Sequence, residues 1–220
     1  MKFPHAQIMI FAKAPIPGEV KTRLIPSLGK QGAATLYEQL ARQTVATAVN
    51  TELCPVRLWC YPLMQHRFFE TCRSDFGVML RLQRGHDLGE RMSNAFKTTL
   101  ESATSAVIIG TDCPALTEQD LHDALTALEE GYDAVLGPAE DGGYVLLGLR
   151  HAEPSLFENI AWGRTDVLDN TRARMRLLGW RWHELAPRWD VDRSEDVGRL
   201  LKSGLLKDNS FLIHHGNGTL

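Results

Sequence analysis

Three cations lie in a short segment that contains Pro and Gly and follows the first apolar run of the chain. The run Ile8–Ala12 leads directly into Lys13, and Lys21 and Arg23 follow in the same segment. A buried strand that ends in such a loop, just before a helix, is what a site for an anionic group at a sheet edge requires. We therefore expect this loop to bind the phosphates of a nucleotide. The alternative is an exposed loop whose cations simply face water.

The loop does not match two familiar phosphate-binding motifs. A Walker A motif needs Gly directly before the Lys-Thr pair and another Gly five residues before the Lys, but Val20 and Ile16 occupy these positions. A dinucleotide fingerprint needs three spaced glycines, and the loop has Gly18 alone. The sequence therefore predicts a different kind of nucleotide site.

A second candidate for chemistry, Asp112, follows the most apolar strand of the chain, residues 106–110. Ligands of open α/β sheets bind beyond the carboxyl ends of the strands, which is where Asp112 is expected to lie. Thr117 and Asp120 have the spacing of a capping box, so a helix cap accounts for both. Asp112 is not needed by that cap. The alternative for Asp112 is a turn-forming aspartate before Pro114.

The third candidate is an acidic pair, Asp190 and Asp192. If this segment is extended, the two carboxylates point the same way and both can face a hard cation. Ser194 is expected to cap the last helix, with acidic residues in its first turn. A phosphohydrolase with an aspartyl nucleophile is excluded by position, because its D-x-D follows the first strand.

Composition limits the class of protein. A chain of 220 residues with 44% hydrophobic residues can bury one core, and its net charge of −3 argues against nucleic acid as the main partner. Its four cysteines include no C-x-x-C pair, so neither a zinc site nor a disulfide scaffold is predicted. The sequence shows no signal peptide and no run of membrane-spanning length, and we expect a cytoplasmic protein.

Strands and amphipathic helices alternate along the chain. Apolar residues recur at helical spacing over 31–50, which predicts a long helix with one buried face. The other predicted elements are strands at 55–62, 78–83 and 106–110 and helices at 65–75 and 87–103. This alternation predicts an α/β fold with a mostly parallel sheet and helices on both faces. We expect one domain over 1–205, followed by a C-terminal tail at 206–220. One expectation for this tail is that it is disordered.

Four motifs in order resemble the GT-A-type nucleotide-diphospho-sugar transferase superfamily, over roughly residues 7–205. They are F-A-K-A-P-I-P-G-E-V-K-T-R-L, G-T-D-C-P-A-L, G-P-A-E-D-G-G-Y-V-L-L-G-L and W-D-V-D-R-S-E-D-V. The set is most similar to a bacterial family of glycosyltransferase-like proteins. The Lys-Thr-Arg-Leu element is also similar to the first loop of 2-phospho-L-lactate guanylyltransferase, and the layout resembles the molybdenum cofactor guanylyltransferase. The resemblance implies a single-domain, Rossmann-like GT-A fold.

The resemblance also implies roles for individual residues. Lys21 and Arg23 would neutralise phosphate charge, and Asp112 would hold Mg²⁺ or Mn²⁺ together with Asp192, or with Asp190 instead. The implied nucleotide-binding residues are Ala12, Lys13, Ala14, Pro15, Gly18, Lys21, Thr22 and Arg23, with Gly85 and Asp87 in a turn near the nucleoside. The implied acceptor-binding residues are Asp141, Gly142, Gly143 and Trp162.

Two segments depart from the family pattern. Arg193-Ser194 replaces the usual Thr-Pro, and Gly163 follows Trp162 where the family normally carries Ser. Arg164 could reach an anionic acceptor, or it could be an ordinary surface arginine.

Three functions are compatible with the motifs. The protein transfers a sugar from a nucleoside-diphosphate sugar to a small-molecule acceptor, or it transfers a nucleotidyl group to a phosphorylated metabolite with release of pyrophosphate. The third alternative is a noncatalytic nucleotide-binding protein. The two retained candidate metal carboxylates, Asp112 and Asp192, favour the enzymes.

Overall fold

The computed structural model describes residues 1–206 and 210–212. Its strands are β1 (Ala6–Lys13), β2 (Val56–Tyr61), β3 (Met79–Leu82), β4 (Ser105–Ile109), β5 (Ala134–Pro138), β6 (Tyr144–Leu149) and β7 (Trp182–Glu184). Its helices are α1 (Ile25–Asn50), α2 (Arg67–Phe76), α3 (Leu88–Leu100), α4 (Glu118–Glu129), α5 (Val167–Leu177) and α6 (Ser194–Ser203), and three 3₁₀ turns lie at Thr22–Leu24, Pro154–Leu156 and Ser210–Leu212. None of the helices described is long and apolar enough to cross a membrane.

The strands form one sheet in the order β3-β2-β1-β4-β6-β5-β7. Strand β6 runs antiparallel to its neighbours β4 and β5, and the other pairs are parallel. The carboxyl ends of β1, β4, β5 and β7 therefore lie along one edge of the sheet. The predicted mostly parallel α/β fold is confirmed. The reversed strand β6 was not predicted, because an apolar run carries no sign of its direction.

The two faces of the sheet are covered by different helices, as the alternation along β1 requires. Ile8 and Ile10 pack with α1, α2 and α4 in one core cluster. Met9 and Phe11 point the other way and pack with α3 and α5 in a second. Both faces are thus buried, which explains why β1 and β4 read as continuous apolar runs.

A third core cluster joins the far side of α1 to α6. Trp189 and Val191 lie in it, beside Leu24 at the start of α1. Phe211, in the described part of the predicted tail, is fully buried in the same cluster. The rest of the tail prediction falls on 207–209 and 213–220, outside the described residues. This cluster fixes the acidic segment 190–192 against the loop that precedes α1.

One predicted helix cap needed correction, and one helix has an added turn. Helix α1 is divided by a kink at Gly29, whose φ of 66° suits glycine. The long part after the kink confirms the helix predicted over 31–50, and the turn before it, which begins at Ile25, was not predicted. Ser194 is not the cap of α6 but its first residue, so that prediction was wrong. The Asp196 carboxylate instead accepts hydrogen bonds from Arg193 N at 2.7 Å and Asp192 N at 3.0 Å. The predicted capping box of Thr117 and Asp120 is confirmed.

Candidate functional site

The candidate residues meet because the strands that precede them end at one edge of the sheet. Strands β1 and β4 are direct neighbours, so the loop after Lys13 lies beside the loop that carries Asp112. The acidic segment after β7 is held at the same edge by a hydrogen bond, which Val191 N donates to Asp112 O at 2.9 Å. Three distant parts of the sequence thus form one site.

Lys21 lies against Asp112. Its Nζ is 2.7 Å from Asp112 Oδ1, and its side chain is only 4% exposed. Lys21 also has left-handed backbone angles, φ 47° and ψ 44°, which are uncommon for a residue other than Gly and occur mainly where surrounding structure holds them. Asp112 Oδ1 is buried and accepts no hydrogen bond, so the contact is a pairing of charges without hydrogen-bond geometry.

Arg23 pairs with the other candidate carboxylate. Its guanidinium donates to Asp192 Oδ2, and both side chains remain substantially exposed. The first loop therefore places one cation on each of Asp112 and Asp192. The two cations that the resemblance assigns to phosphate binding are thus paired with the two carboxylates that it assigns to metal binding.

All four of these side chains line one cavity of about 510 Å³, which we call the loop cavity. Ala12, Lys13 and Thr22 line it as well, as the sequence led us to expect. The described residues that line it without having been predicted include Tyr37, Gln83, Leu88 and Arg91.

Tyr37 and Gln83 hold the strand ends that frame the loop cavity. Tyr37, on α1, accepts hydrogen bonds from Lys13 N at 2.7 Å and from Thr111 Oγ1 at 3.1 Å, and burial raises the pKa of its phenol. Gln83 Nε2 donates to the backbone oxygens of Ala12 and Trp59. Helical spacing marked Tyr37 as a core residue, but no pattern showed that its hydroxyl joins β1 to β4.

A second cavity, of about 270 Å³, adjoins the first and is here called the acidic cavity. Asp112 lines both cavities, and Asp141 and Asp190 line the acidic one. The pKa of Asp190 is raised to about 6, chiefly by burial, with Asp141 and Asp112 adding to the rise and Lys21 opposing it. The charges of Asp141 and Asp112 therefore act on Asp190. Gly143 and Trp162, both predicted, line this cavity too.

Comparison with known proteins identifies the family. Residues 44–164, more than half of the chain, match the family described as "Uncharacterized protein conserved in bacteria (DUF2064)". The chain belongs to this family. No curated protein matches it in sequence.

Solved structures confirm the fold expected for this DUF2064 protein. A protein from Desulfovibrio desulfuricans G20 described as a "putative nucleotide-diphospho-sugar transferase" is 30% identical, with a TM-score of 0.84 over 96% of this chain and 97% of that one. A 4-diphosphocytidyl-2C-methyl-D-erythritol synthase from Anaerococcus prevotii has a TM-score of 0.62 at 9% identity, covering 91% and 96%. The glucosyl-3-phosphoglycerate synthase of Mycobacterium tuberculosis, in complex with Mn²⁺ and UDP, has a TM-score of 0.53 at 11% identity, covering 98% and 81%. The last two show the fold alone.

Several residues assigned to the nucleotide lie away from the loop cavity in the DUF2064 protein. Ala14 and Pro15 are buried beneath the loop, and Gly18 turns it with a φ of 92°. Asp87 caps α3 by accepting from Glu90 N at 2.8 Å and lines a separate cavity. Gly85 has no room for a side chain, since a Cβ would lie 2.7 Å from Arg91 N. The predicted roles of all five residues in nucleotide binding stay predictions.

The carboxylates of the DUF2064 protein suit a hard cation in type, but they do not form a complete cage. Within the described ranges, no group of three or more His, Cys, Asp or Glu side chains is placed to hold a metal ion. Asp112 nevertheless has a buried oxygen without a hydrogen-bond donor, and Asp192 faces the same cavity. Mg²⁺ is commonly held by one or two carboxylates together with substrate phosphates and water. The donor set fits that mode of binding.

Proposed function

We propose that this protein is a metal-dependent transferase that moves a sugar from a nucleoside-diphosphate sugar to a small-molecule acceptor. The loop cavity takes the donor and the acidic cavity takes the acceptor. The observation that carries the proposal is that Lys21 and Arg23, paired with Asp112 and Asp192, all line a single cavity. A diphosphate needs cations on one side and a carboxylate-held metal on the other, and this cavity offers groups for both.

The chemistry requires charge stabilisation more than a protein nucleophile. Breaking the bond between sugar and phosphate leaves negative charge on the nucleoside diphosphate, and Lys21 and Arg23 lie where they can stabilise it. A Mg²⁺ or Mn²⁺ ion held by Asp112, with Asp192 or Asp190, would supply further positive charge to the leaving group. Tyr37 and Gln83 keep the strand ends that carry these side chains in place.

The border between the cavities favours a transfer between two ligands. Gly110, Asp112 and Tyr144 line both cavities, so ligands in the two would meet there. A donor whose diphosphate lies at Lys21 would thus present its sugar toward Asp141 and Trp162. Holding two reactants at a common border is itself a large source of rate enhancement.

A second candidate is nucleotidyl transfer to a phosphorylated metabolite. It is favoured by the cationic loop, which suits a triphosphate, and by the Lys-Thr-Arg-Leu similarity. A noncatalytic nucleotide-binding role is disfavoured, because such a role gives no reason for two carboxylates to face the phosphate cations.

A thermal-shift panel tests the proposal. Nucleoside triphosphates, diphosphates and nucleotide sugars are each added with and without Mg²⁺ or Mn²⁺, and a true ligand raises the melting temperature in a concentration-dependent way. Asp112→Asn should lose the metal-dependent part of the shift. Asp75→Asn, which opens a remote surface pair with Arg42, is the matched control and should keep it.

Two results would overturn the proposed site: no response to any nucleotide, or equal metal-dependent shifts in wild type and Asp112→Asn. Products then separate the two reactions. Release of nucleoside diphosphate supports glycosyl transfer, and release of pyrophosphate supports nucleotidyl transfer.

A further inference from the structure

The charges around the acidic cavity are unbalanced. Three of the described residues that line it carry a carboxylate and one carries a cation: Asp112, Asp141, Asp190 and Arg164. Lys21 already pairs with Asp112 at 2.7 Å, so the excess negative charge lies on Asp141 and Asp190. Arg164 is 70% exposed and lies 3.7 Å from Asp166, so a carboxylate outside the cavity already offsets its charge. An anion entering this cavity would meet repulsion that a single exposed guanidinium does not cancel.

The helix next to the cavity does not supply a compensating anion site. Helix α5 begins at Val167, on the cavity wall. Leu168 N already donates to Gly142 O at 2.9 Å. Asp166 and Asp169 add negative charge to the first turn, which cancels much of the positive end of the helix dipole.

The same cavity is well equipped for hydroxyl groups. Asp141 accepts one hydrogen bond at Oδ1 from Gly143 N at 2.9 Å, and the structure records no donor from the described residues to its other oxygen. Asp190 lines the same cavity as Asp141 and Asp112. Hydroxyl donors would stabilise both carboxylates, because a hydrogen bond to a charged acceptor is stronger than one between neutral groups. The rings of Trp162 and Tyr144 give the cavity an apolar wall.

We propose that the acidic cavity binds a neutral, polyhydroxylated acceptor of the sugar or polyol class, and that it rejects phosphorylated and other anionic acceptors. This inference rests on the proposed function, since it names the second substrate of the same site. It also separates the two enzyme candidates, because nucleotidyl transfer to a phosphorylated metabolite needs an anion in this cavity. A bound donor does not remove the exclusion, since the negative charge of its diphosphate balances the positive charge of a divalent cation.

Charge-selective labelling of a cysteine at the border of the acidic cavity measures this exclusion. Thr165 is exposed, and its carbonyl lies against Gly142. It lines a neighbouring cavity that shares Asp141, Arg164 and Asp190 with the acidic cavity. The four native cysteines are buried, so Thr165→Cys gives one reactive thiol among the described residues. The rate at which this thiol reacts with cationic trimethylammonium-ethyl methanethiosulfonate is compared with its rate with anionic sulfonatoethyl methanethiosulfonate. Each rate is divided by the rate of the same reagent with a small neutral thiol in solution, which corrects for the reagents' intrinsic reactivities.

We expect the cationic reagent to react at least threefold faster than the anionic one after this correction. Asp141→Asn, which keeps an oxygen to accept from Gly143 N, should move the ratio toward one, and so should high salt. An anionic reagent that reacts as fast or faster overturns the proposal. Labelling involves no nucleotide, so this result is independent of the thermal-shift test of the donor site.

Matched acceptors then test the substrate class. Nucleoside diphosphate release is measured with glucose against glucose 6-phosphate and with glycerol against glycerol 3-phosphate. Preference for the unphosphorylated member of a pair supports the proposal. Preference for the phosphorylated member overturns it, even where the labelling ratio agrees.

Discussion

Lys21 Nζ lies 2.7 Å from Asp112 Oδ1, so the cation of the first loop occupies the carboxylate that we assign to the metal. A divalent cation that takes Asp112 must displace Lys21, and the phosphates of a donor can then accept the charge of Lys21. Arg23 and Asp192 repeat this relationship at the other side of the cavity. Metal and nucleotide are therefore expected to bind as a unit.

Lys21→Met tests this exchange. Because the variant frees Asp112, its affinity for Mn²⁺ alone should rise about five- to tenfold, roughly 1–1.4 kcal/mol, while its affinity for nucleotide falls. Electron paramagnetic resonance of free Mn²⁺ measures the first quantity. Arg42→Met, which frees the remote Asp75, is the control and should leave Mn²⁺ binding unchanged. Wild-type protein that already binds Mn²⁺ as tightly as Lys21→Met would contradict the exchange.

Arg23→Gln separates binding from stability. The Arg23–Asp192 pair is exposed, and such pairs contribute only about 0–1 kcal/mol to folding, so urea unfolding should change little. Nucleotide affinity should fall about tenfold, roughly 1.4 kcal/mol, because a phosphate contact is lost. Arg42→Gln breaks a comparable exposed pair and should affect neither quantity strongly. Equal nucleotide affinity in wild type and Arg23→Gln would show that Arg23 does not contact the nucleotide.

Much of this site could be predicted because its key residues follow apolar strands. The run before Lys13 and the run before Asp112 both marked buried parallel strands, and the carboxyl ends of such strands meet at one edge. Position in sequence therefore indicated position in space for Lys21 and Asp112. The acidic pair was predicted to point one way, and with Val191 buried between them Asp190 and Asp192 do line one common cavity. Their partners differ, because Asp192 pairs with Arg23 and Asp190 lines the acidic cavity with Asp141.

The missed residues act through long-range contacts that no local pattern encodes. Tyr37 has the spacing of an ordinary core residue, and its hydroxyl becomes important only because α1 crosses both strand ends. Gln83 lies in a polar turn whose buried position depends on the pairing of β3 with β2. The first turn of α1 was not predicted because Gly29 separates it from the helical periodicity that follows.

Tyr37→Phe tests the bridge between β1 and β4. The variant keeps the ring but removes the acceptor for Lys13 N and Thr111 Oγ1, and leaving such groups unpaired costs about 1–3 kcal/mol of unfolding free energy. Urea unfolding measures the loss. In a double-mutant cycle with Thr111→Val, the two changes should be less than additive, because both remove the same hydrogen bond. Additive losses would show that the Thr111 bond contributes nothing.

Gly142→Ala tests the loop that lines the acidic cavity. Gly142 has a φ of 91°, and a Cβ there would collide with the backbone oxygen of Thr165, so the loop must move away from the segment that precedes α5. Gly163→Ala is the matched control, because its φ is 82° but its Cβ would meet nothing within 4 Å. We expect about 1 kcal/mol of backbone strain in the control and clearly more in Gly142→Ala. Thermal unfolding measures the loss of stability in both variants. Equal losses would contradict the close contact between Gly142 and Thr165.

Asp120 should make the stability of the protein fall in acid. Burial alone would raise the pKa of its carboxyl, but hydrogen bonds from Arg188 and Thr117 outweigh burial, so the pKa is lowered. A carboxyl with a lowered folded-state pKa stabilises the fold above its unfolded pKa of about 4, and this contribution disappears as the pH falls through the folded value. Asp120→Asn removes the charge and leaves Arg188 unpaired. This should lower the free energy of unfolding by about 2–3 kcal/mol at pH 7, less than is lost when a fully buried ion pair is broken.

The difference in unfolding free energy between wild type and Asp120→Asn should therefore shrink as the pH is lowered from 6 toward 2.5. Urea unfolding at successive pH values measures it, with Asp75→Asn as an exposed control. Arg188 directly precedes Trp189 and Asp190, so Asp120→Asn should also loosen the acidic cavity and lower the charge selectivity of labelling at Thr165→Cys. A difference that stays constant with pH would show that the ion pair with Arg188 does not hold this segment in place.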